Sequence, residues 1–173
     1  MDKCLTMAAA KMDVEKKLDK KIASLVKEAN GKKSSVFIKM DDPTFETFLS
    51  DKLLVINIIQ QGIPYSLFNI VQDYTPFEME DWLIFLDISS KTLMRYKENE
   101  KTFKPIQSEK IIEMAEVTHT GLEVFGNMEK FKLWLNTPNF SLGKSKPIDL
   151  LKSSYGKDLV LADLTHINHG ILA

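Results

Sequence analysis

The sequence predicts a mainly α-helical fold, and three observations carry that expectation. Apolar residues recur at spacings of three and four along much of the chain, as in Val14, Leu18, Ile22, Leu25 and Ala29. Helix starts and stops punctuate these stripes, with proline in first-turn positions, small polar caps ahead of them and glycine just beyond the ends. A proline-rich corner between residues 125 and 151 reads as two helices joined at a set angle.

Composition bounds what such a chain can be. Its 173 residues suffice for one sizeable core or two small ones, and 44% hydrophobic with 27% charged residues is ordinary for a soluble globular protein. A formal net charge of −1 exerts no overall pull toward nucleic acid, so any such binding must come from a local patch. Cys4 is the only cysteine, which excludes an intrachain disulfide and a cysteine-based metal site and fits a reducing compartment, the cytoplasm. The longest apolar run, residues 53–59, is broken by Asn57 and falls far short of a membrane span. The N-terminus lacks the apolar core of a signal peptide.

The first predicted helix covers residues 12–29 and is closed by Asn30-Gly31. Its stripe is narrow and needs a partner: the rest of the chain, a second copy or another protein, among which spacing does not choose. Residues 1–39 hold ten lysines against five acids. That excess reads as a basic arm on DNA phosphates or as a solvated helix face, the second being how charge runs ordinarily behave. Residues 32–35 read as a linker, and Val36-Phe37-Ile38 is too short to assign, a strand being one option. Asp42-Pro43 supplies a cap and a first-turn proline for a helical region in which Phe45, Phe48, Leu49, Leu53, Ile56 and Ile59 or Gln60 keep helical spacing up to Gly62. Pro64 opens the next helix, with Leu67, Ile70 and Val71 inward and its end near Tyr74. Thr75-Pro76-Phe77-Glu78 combines a capping box with proline at the first helical position. Leu83, Phe85 and Leu86 face inward before the chain turns at Asp87-Ile88-Ser89.

Ser89 caps the helix that follows, which carries Lys91, Thr92, Leu93, Arg95 and Tyr96. Two short helices joined by a tight turn, the second capped and polar, form a helix-turn-helix. The stretch LDISSKTLMRY resembles the L-G-I-S-x-x-T-L-x-R core of that motif, with Ile88 and Leu93 at its corner. Asp87 stands where glycine is usual, which aspartate tolerates because it visits left-handed conformations more readily than most residues. Leu83 stands where alanine is usual, so the two helices are expected slightly farther apart. The candidate DNA contacts are Ser89, Ser90, Lys91, Thr92, Arg95, Lys97 and Lys101. Arg95 is the only arginine among 23 basic residues, and its guanidinium can pair with a guanine edge or clamp a phosphate. Lys97, Lys101 and Lys104 follow it toward the loop, where phosphate contact is natural. Against this, residues 64–104 carry a net charge of −2, and Glu78, Glu80 and Asp81 oppose the approach of a polyanion. A purely structural helix-turn-helix is the rival reading.

Ser108 is the expected start of the next helix, with Ile111, Ile112, Ala115 and Leu122 inward and His119 a surface or interhelical histidine. Gly126 ends it, and Asn127 caps a helix that puts Phe131, Trp134 and Leu135 on one face. Pro138 cannot continue that helix. Thr137-Pro138-Asn139 reads as a stop and tight turn, Leu142 and Gly143 as a bend, and Pro147 as the start of a short helix carrying Ile148, Leu150 and Leu151. Gly156 is expected to break the chain before a final amphipathic helix whose stripe is Leu159, Val160, Leu164 and Ile167. Gly170 ends it, leaving Ile171-Leu172-Ala173 as an apolar tail that folds back or enters a partner.

The ordered set of Phe125-Gly126, Trp134-Leu135, Pro138-Asn139, Leu142-Gly143, Pro147 with Asp149-Leu150-Leu151, Gly156, and His169-Gly170 before Ala173 closely resembles the C-terminal toxin-binding domain of the Xre/MbcA/ParS-type antitoxins. With the helix-turn-helix upstream, the resemblance spans residues 62–173. The expected organisation is an N-terminal helical extension over residues 1–62, outside the resemblance, then a helix-turn-helix domain over 63–104 and a small helical toxin-binding domain over 105–173. The resemblance further implies the antitoxin of a type II pair, whose partner is a RES-domain toxin that consumes or transfers from NAD and whose NAD cleft the C-terminal part covers. His166, His169, Gly170, Ile171, Leu172 and Ala173 are then the toxin contacts, with 169–173 as the inserted tail. Trp134, Pro138, Asn139, Leu142, Gly143, Pro147 and Gly156 hold the domain's shape. A homodimer on operator DNA is the accompanying expectation, because paired half-sites mirror a two-fold protein. The chain departs from the family pattern at Lys144, where a second glycine is common, and at His166, where arginine is common. A stand-alone helix-turn-helix repressor with a C-terminal dimerisation or effector domain is the rival function.

Other chemistry finds little support. Gly143-Lys144-Ser145 imitates the end of a phosphate-binding loop, but the required first glycine falls on Pro138 and no strand precedes it. His166 and His169 stand three apart on a helix, and two ligands are too few to hold a metal. There is no nucleophile–base or acid pair at informative spacing, so no cofactor, no metal and no enzymatic activity are expected.

Overall fold

The computed structural model describes residues 2–31 and 43–170, the side chains of residues 2–11 and 29–31 excepted. The expectations for residues 32–35, Val36-Phe37-Ile38 and Asp42, and for the tail Ile171-Leu172-Ala173, lie outside the described residues. Ten helices are described: α1 Asp2–Gly31, α2 Phe45–Ser50, α3 Lys52–Gln61, α4 Tyr65–Tyr74, α5 Met79–Leu86, α6 Ser90–Glu98, α7 Pro105–Phe125, α8 Met128–Leu135, α9 Pro147–Leu150 and α10 Ser154–Asn168. Extended pairing among the described residues is limited to two isolated bridges, Pro64 with Thr102 and Asn139 with Ser145. The fold is mainly α, as the sequence predicts. It divides into two compact units, Met1–Tyr74 with Ser89–Glu109, and Thr75–Ile88 with Lys110–Ala173. Those boundaries do not coincide with the expected ones at 62/63 and 104/105, since α5 groups with the C-terminal residues and α6 with the N-terminal ones.

In the first unit the narrow stripe of α1 finds its partner in its own chain. Leu18, Ile22 and Val26 are buried, and the helix packs on α4, α2 and α3. The Asp19 carboxylate also accepts the Phe45 N–H at 2.7 Å, tying α1 to the start of α2. Thr44 is the cap of α2, its hydroxyl accepting from the Thr47 N–H at 3.2 Å. The helical region does not run unbroken to Gly62. Asp51 interrupts it and caps α3 by accepting from the N–H groups of Leu53 and Leu54, at 3.1 and 3.0 Å. This restart resets the helical angle: Phe45, Phe48 and Leu49 are buried before it and Leu54, Val55 and Ile58 after it, while Leu53 and Ile56 turn outward. Continuous spacing cannot anticipate such a phase shift.

An aromatic cluster of Tyr65, Phe68, Tyr96 and Phe103 holds α4, α6 and the segment after α6 together, with Tyr96 stacked on Phe103 at 4.6 Å and Phe68 tilted on it at 5.1 Å. Backbone bonds from Tyr65 N–H to Lys101 O (2.9 Å) and from Phe103 N–H to Ile63 O (2.8 Å) close the same corner. Ser108 does not start α7, which begins at Pro105. Its fully buried hydroxyl accepts from Ile63 N–H at 2.9 Å and donates to Phe103 O at 3.3 Å, spanning two segments whose polar backbone would otherwise be stranded.

In the second unit α5 begins three residues later than expected. Glu78 is its N-cap, donating its N–H to the Asp81 carboxylate at 3.0 Å. Thr75 and Pro76 are buried, and Phe77 is drawn edge-on against Trp82 and Phe85 at 6.0 and 5.2 Å, so the chain stays extended until that ring is placed. Helix α7 is buried along much of its circumference through Ile111, Ile112, Met114, Ala115, Val117 and Leu122. A Cβ on Gly121 would lie 2.2 Å from the Phe131 ring, so glycine is what lets α8 press into α7. Asn127 caps α8 as expected, accepting from Lys130 N–H at 2.9 Å.

The corner after α8 ends on a second close approach. Ser153 caps α10 by accepting the Gly156 N–H at 3.1 Å, which places Gly156 inside the first turn of α10 instead of at a break ahead of it. A Cβ there would meet the Leu150 carbonyl oxygen of α9 at 1.9 Å. The inward face of α10 is Val160, Asp163 and Leu164, and Leu159, expected on the stripe, lies on the exposed side about 100° from Val160. Gly156→Ala is expected to lower stability by about 2–3 kcal/mol, because backbone must move to admit the methyl group. Urea unfolding of the full chain checks this, and an unchanged midpoint would contradict the close approach.

Candidate functional site

The corner between α8 and α10 is built around one buried carboxylate. Asp163 is only 6% exposed, and it accepts from the Asn139 side-chain amide at 2.7 Å and from the Ser141 hydroxyl at 2.5 Å. The Asn139 side-chain oxygen in turn accepts the Ser141 N–H at 3.3 Å. Asn139 also closes the loop through its backbone, donating to Ser145 O at 3.0 Å and accepting from Lys144 N–H at 2.8 Å. Gly143 and Lys144 both take left-handed conformations, φ 65° and 62°. A second glycine would suit that geometry, and Lys144 meets it with the strain a side chain incurs there. The result is a closed hairpin over residues 137–146, pinned to α10 by charge-assisted hydrogen bonds.

Around this brace, Pro147 is buried at the first position of α9. Trp134 is half-buried, stacked on Phe131 at 6.1 Å and tilted on Phe125 at 5.6 Å. Leu142 is half-buried and Pro138 exposed. Ion pairs around Lys132 and Lys157 add to the unit. A hydrogen bond from Lys132 and its positive charge hold the exposed Glu78 carboxyl below its ordinary value. Burial pushes the Lys157 ammonium down, but Asp158 at 3.1 Å, Glu116 at 3.9 Å and Glu113 outweigh it and hold the group above its ordinary value.

With its inner face used by Val160, Asp163 and Leu164, α10 leaves an outer line of Tyr155, Leu159, Ala162, His166 and His169, all exposed. Steps of four, three, four and three residues keep these side chains on one face. His169 caps the helix, and Gly170 after it is exposed and at φ 68°. Of the residues implied as toxin contacts, His166, His169 and Gly170 thus share one exposed end, and Ile171, Leu172 and Ala173 lie outside the described residues. Phe140, at the hairpin tip, is 78% exposed. Neither Asp163 nor Ser141 was expected to matter. The available signal was an acid placed three residues after Val160 and four before Ile167, inside an otherwise apolar stripe.

The residues proposed to face DNA gather on α6. Ser89 caps it, its hydroxyl oxygen accepting from Thr92 N–H at 3.2 Å, and only Leu93 of the helix is fully buried. Ser90, Lys91, Arg95 and Lys97 are exposed, Thr92 is half-buried, and Lys101 is exposed on the following loop. Lys91, Thr92, Met94, Arg95 and Glu98 line one shallow depression. Asp87 ends α5 in the left-handed conformation, φ 50° and ψ 50°, that glycine would otherwise supply. The net charge of −2 over residues 64–104 mixes two units: the residues grouped with α6 carry a net +3, and the acids Glu78, Glu80, Asp81 and Asp87 belong to the other, which carries −4.

Among the described residues, no group of three or more His, Cys, Asp or Glu side chains could hold a metal ion, and no helix is long and apolar enough to cross a membrane. Asp163→Ala is expected to cost about 1.5–3 kcal/mol, the range for hydrogen bonds to a charged group. It should also speed hydrogen exchange at the Lys144 amide, and unaltered protection there would show that the hairpin closes without α10.

Residues 120–170 match the family model of the antitoxin Xre/MbcA/ParS C-terminal toxin-binding domain. The chain is similar to the Antitoxin Xre of Yersinia enterocolitica serotype O:8 / biotype 1B, at 23% identity over 121 residues covering 69% of this chain and 82% of that protein. It is also similar to the Antitoxin Xre of Photorhabdus laumondii subsp. laumondii, at 24% over 117 residues covering 67% and 79%. Its fold resembles a chain in the crystal structure of the M. tuberculosis MbcT-MbcA toxin-antitoxin complex, with a TM-score of 0.51 and 21% identity over 63% of this chain and 96% of that one. These likenesses bear out the resemblance to the Xre/MbcA/ParS-type antitoxins.

Proposed function

We propose that this chain is the antitoxin of a toxin–antitoxin pair, a cytoplasmic protein that neutralises its toxin through the domain at residues 120–170 and regulates its own operon through α6. The observation that carries the reading is the match of that domain to a toxin-binding family model, in a chain similar over two thirds of its length to two antitoxins. The exposed end of α10 supports it, because it gathers His166, His169 and Gly170, three of the residues that the resemblance implies as toxin contacts.

In the finer reading the pair is type II, the partner is a RES-domain toxin, and residues 169–173 enter the mouth of its NAD cleft. Inhibition is then steric occlusion by a protein surface and needs no catalytic group, cofactor or metal on this chain. Deleting residues 170–173 is expected to restore toxicity while leaving the thermal unfolding curve in place. Full neutralisation by the shortened chain would reject tail insertion.

In the DNA reading, α6 is the second helix of a helix-turn-helix and presents Arg95 with Ser90, Lys91 and Thr92 to the major groove, while Lys97 and Lys101 meet phosphates. The positive balance of the unit that carries α6 favours it, as does the exposure of every one of these basic side chains. A homodimer on paired half-sites is the assembly this requires. Arg95→Ala is expected to weaken binding to the chain's own promoter by about 1–3 kcal/mol if the guanidinium reads a base. Identical gel-shift titrations of variant and parent would mark α6 as silent toward DNA.

A further inference from the structure

We infer that Met94 is a specificity residue on the DNA face of α6, its side chain packing on the C5 methyl group of a thymine beside the base pair that Arg95 reads. The inference rests on the DNA reading and goes beyond it by naming a base and the side chain that selects it.

Met94 is 60% exposed and is the one large apolar side chain that α6 shows to solvent. It belongs to a single surface, because Lys91, Thr92, Met94, Arg95 and Glu98 line one shallow depression. Spacings of three, four and seven residues from Lys91 set Met94, Arg95 and Glu98 on the same side of the helix, and Lys91 and Arg95 stand opposite the buried Leu93.

Charge identifies what that surface meets. Lys91, Arg95, Lys97, Lys101 and Lys104 are all exposed, and none of them pairs with a carboxylate of another described residue, although Glu98 follows Arg95 by three positions. The same three-residue spacing does pair Lys110 with Glu113 and Lys152 with Asp149. Cations left unpaired along one helix and the loop after it complement a polyanion. Glu98 among them repels phosphates but accepts from the amino group of a cytosine edge. A face that mixes cation, acid and apolar group therefore fits the floor of a groove, and Lys101 and Lys104 beyond the helix fit the backbone.

In that groove Met94 has one partner. Its side chain has no hydrogen to donate and its thioether accepts only weakly, so the polar atoms of base edges offer it nothing. The apolar group that the major groove presents is the thymine methyl. Met94 and Arg95 differ by about 1.5 Å of helix rise, against about 3.4 Å between stacked base pairs, which puts that thymine in a pair adjoining the one Arg95 reads. The unbranched, polarizable side chain adapts to the methyl without a preset shape.

The test titrates the chain's own promoter after replacing each thymine in turn by deoxyuridine, a change that removes the methyl group and leaves every hydrogen-bonding atom in place. The parent chain should lose about four-fold in affinity at one thymine position of a half-site, the weight of one buried carbon. Met94→Ala should bind the thymine and deoxyuridine forms of that site alike, with an unchanged unfolding midpoint, and Met94→Leu should keep the discrimination. Parent binding that is indifferent to every replacement overturns the inference, as does a loss that Met94→Ala shares in full. Should Met94→Ala leave DNA binding untouched and split a larger assembly of the parent chain, the side chain joins copies of this chain and the inference is overturned. If the parent chain does not bind the promoter at all, or if Arg95→Ala binds it equally well, the DNA reading itself falls.

Discussion

The buried carboxylate of Asp163 is the constraint on which the C-terminal architecture turns. An acid inside a helical core is costly unless its oxygens are satisfied, and here two hydrogen-bond donors from the hairpin, Asn139 and Ser141, satisfy them. The cost is thereby converted into a positional requirement, because α10 and the hairpin must sit where those bonds can form. The Gly121 and Gly156 contacts serve the same end by steric means, bringing α8 onto α7 and α10 onto α9 at distances no side chain would allow. Since the inner face of α10 is committed to this corner, its outer face and the hairpin tip stay exposed.

The unit that carries α6 is organised differently. Its helices are held by aromatic packing around Phe103 and by a buried hydroxyl, Ser108, that bridges Ile63 and Phe103. Helix α6 contributes one fully buried side chain, Leu93, and the half-buried Tyr96 stacked on Phe103. Ser90, Lys91, Met94, Arg95, Lys97 and Glu98 are exposed along it, while Ser89 and Thr92 also serve its cap. The grouping of the chain also separates charge: the acids of residues 75–88 fall with the C-terminal unit, and the lysines of α1 fall with α6. A balance that looks unfavourable when counted along the chain is positive when counted by compact unit.

Caps and breaks were largely legible in the residues. Ser89, Asn127, Gly126, Pro147 and Gly170 act where the sequence places them. The misplacements share one cause. Glu78 in place of Thr75 and Pro105 in place of Ser108 are both helix starts at which nearby residues offer competing local signals. The choice between them is made by side-chain packing: Phe77 against Trp82 five residues on, and Ser108 between Ile63 and Phe103. The outward turn of Leu53 and Ile56 follows from the restart at Asp51, and Gly156 reads as a helix breaker until the Leu150 carbonyl against it is seen.

The sequence by itself determined the helical class, the order of the helices, most of their caps and the ordered motif by which the C-terminal domain resembles toxin-binding antitoxin domains. These rest on local physics, since periodicity, proline geometry and cap hydrogen bonds act within a few residues. Tertiary structure alone decided that α1 packs on its own chain, that Asp163 answers Asn139 and Ser141, and that Ser108 bridges Ile63 and Phe103. Each of those outcomes depends on at least one contact between residues more than twenty positions apart, and spacing along a chain holds no record of that meeting.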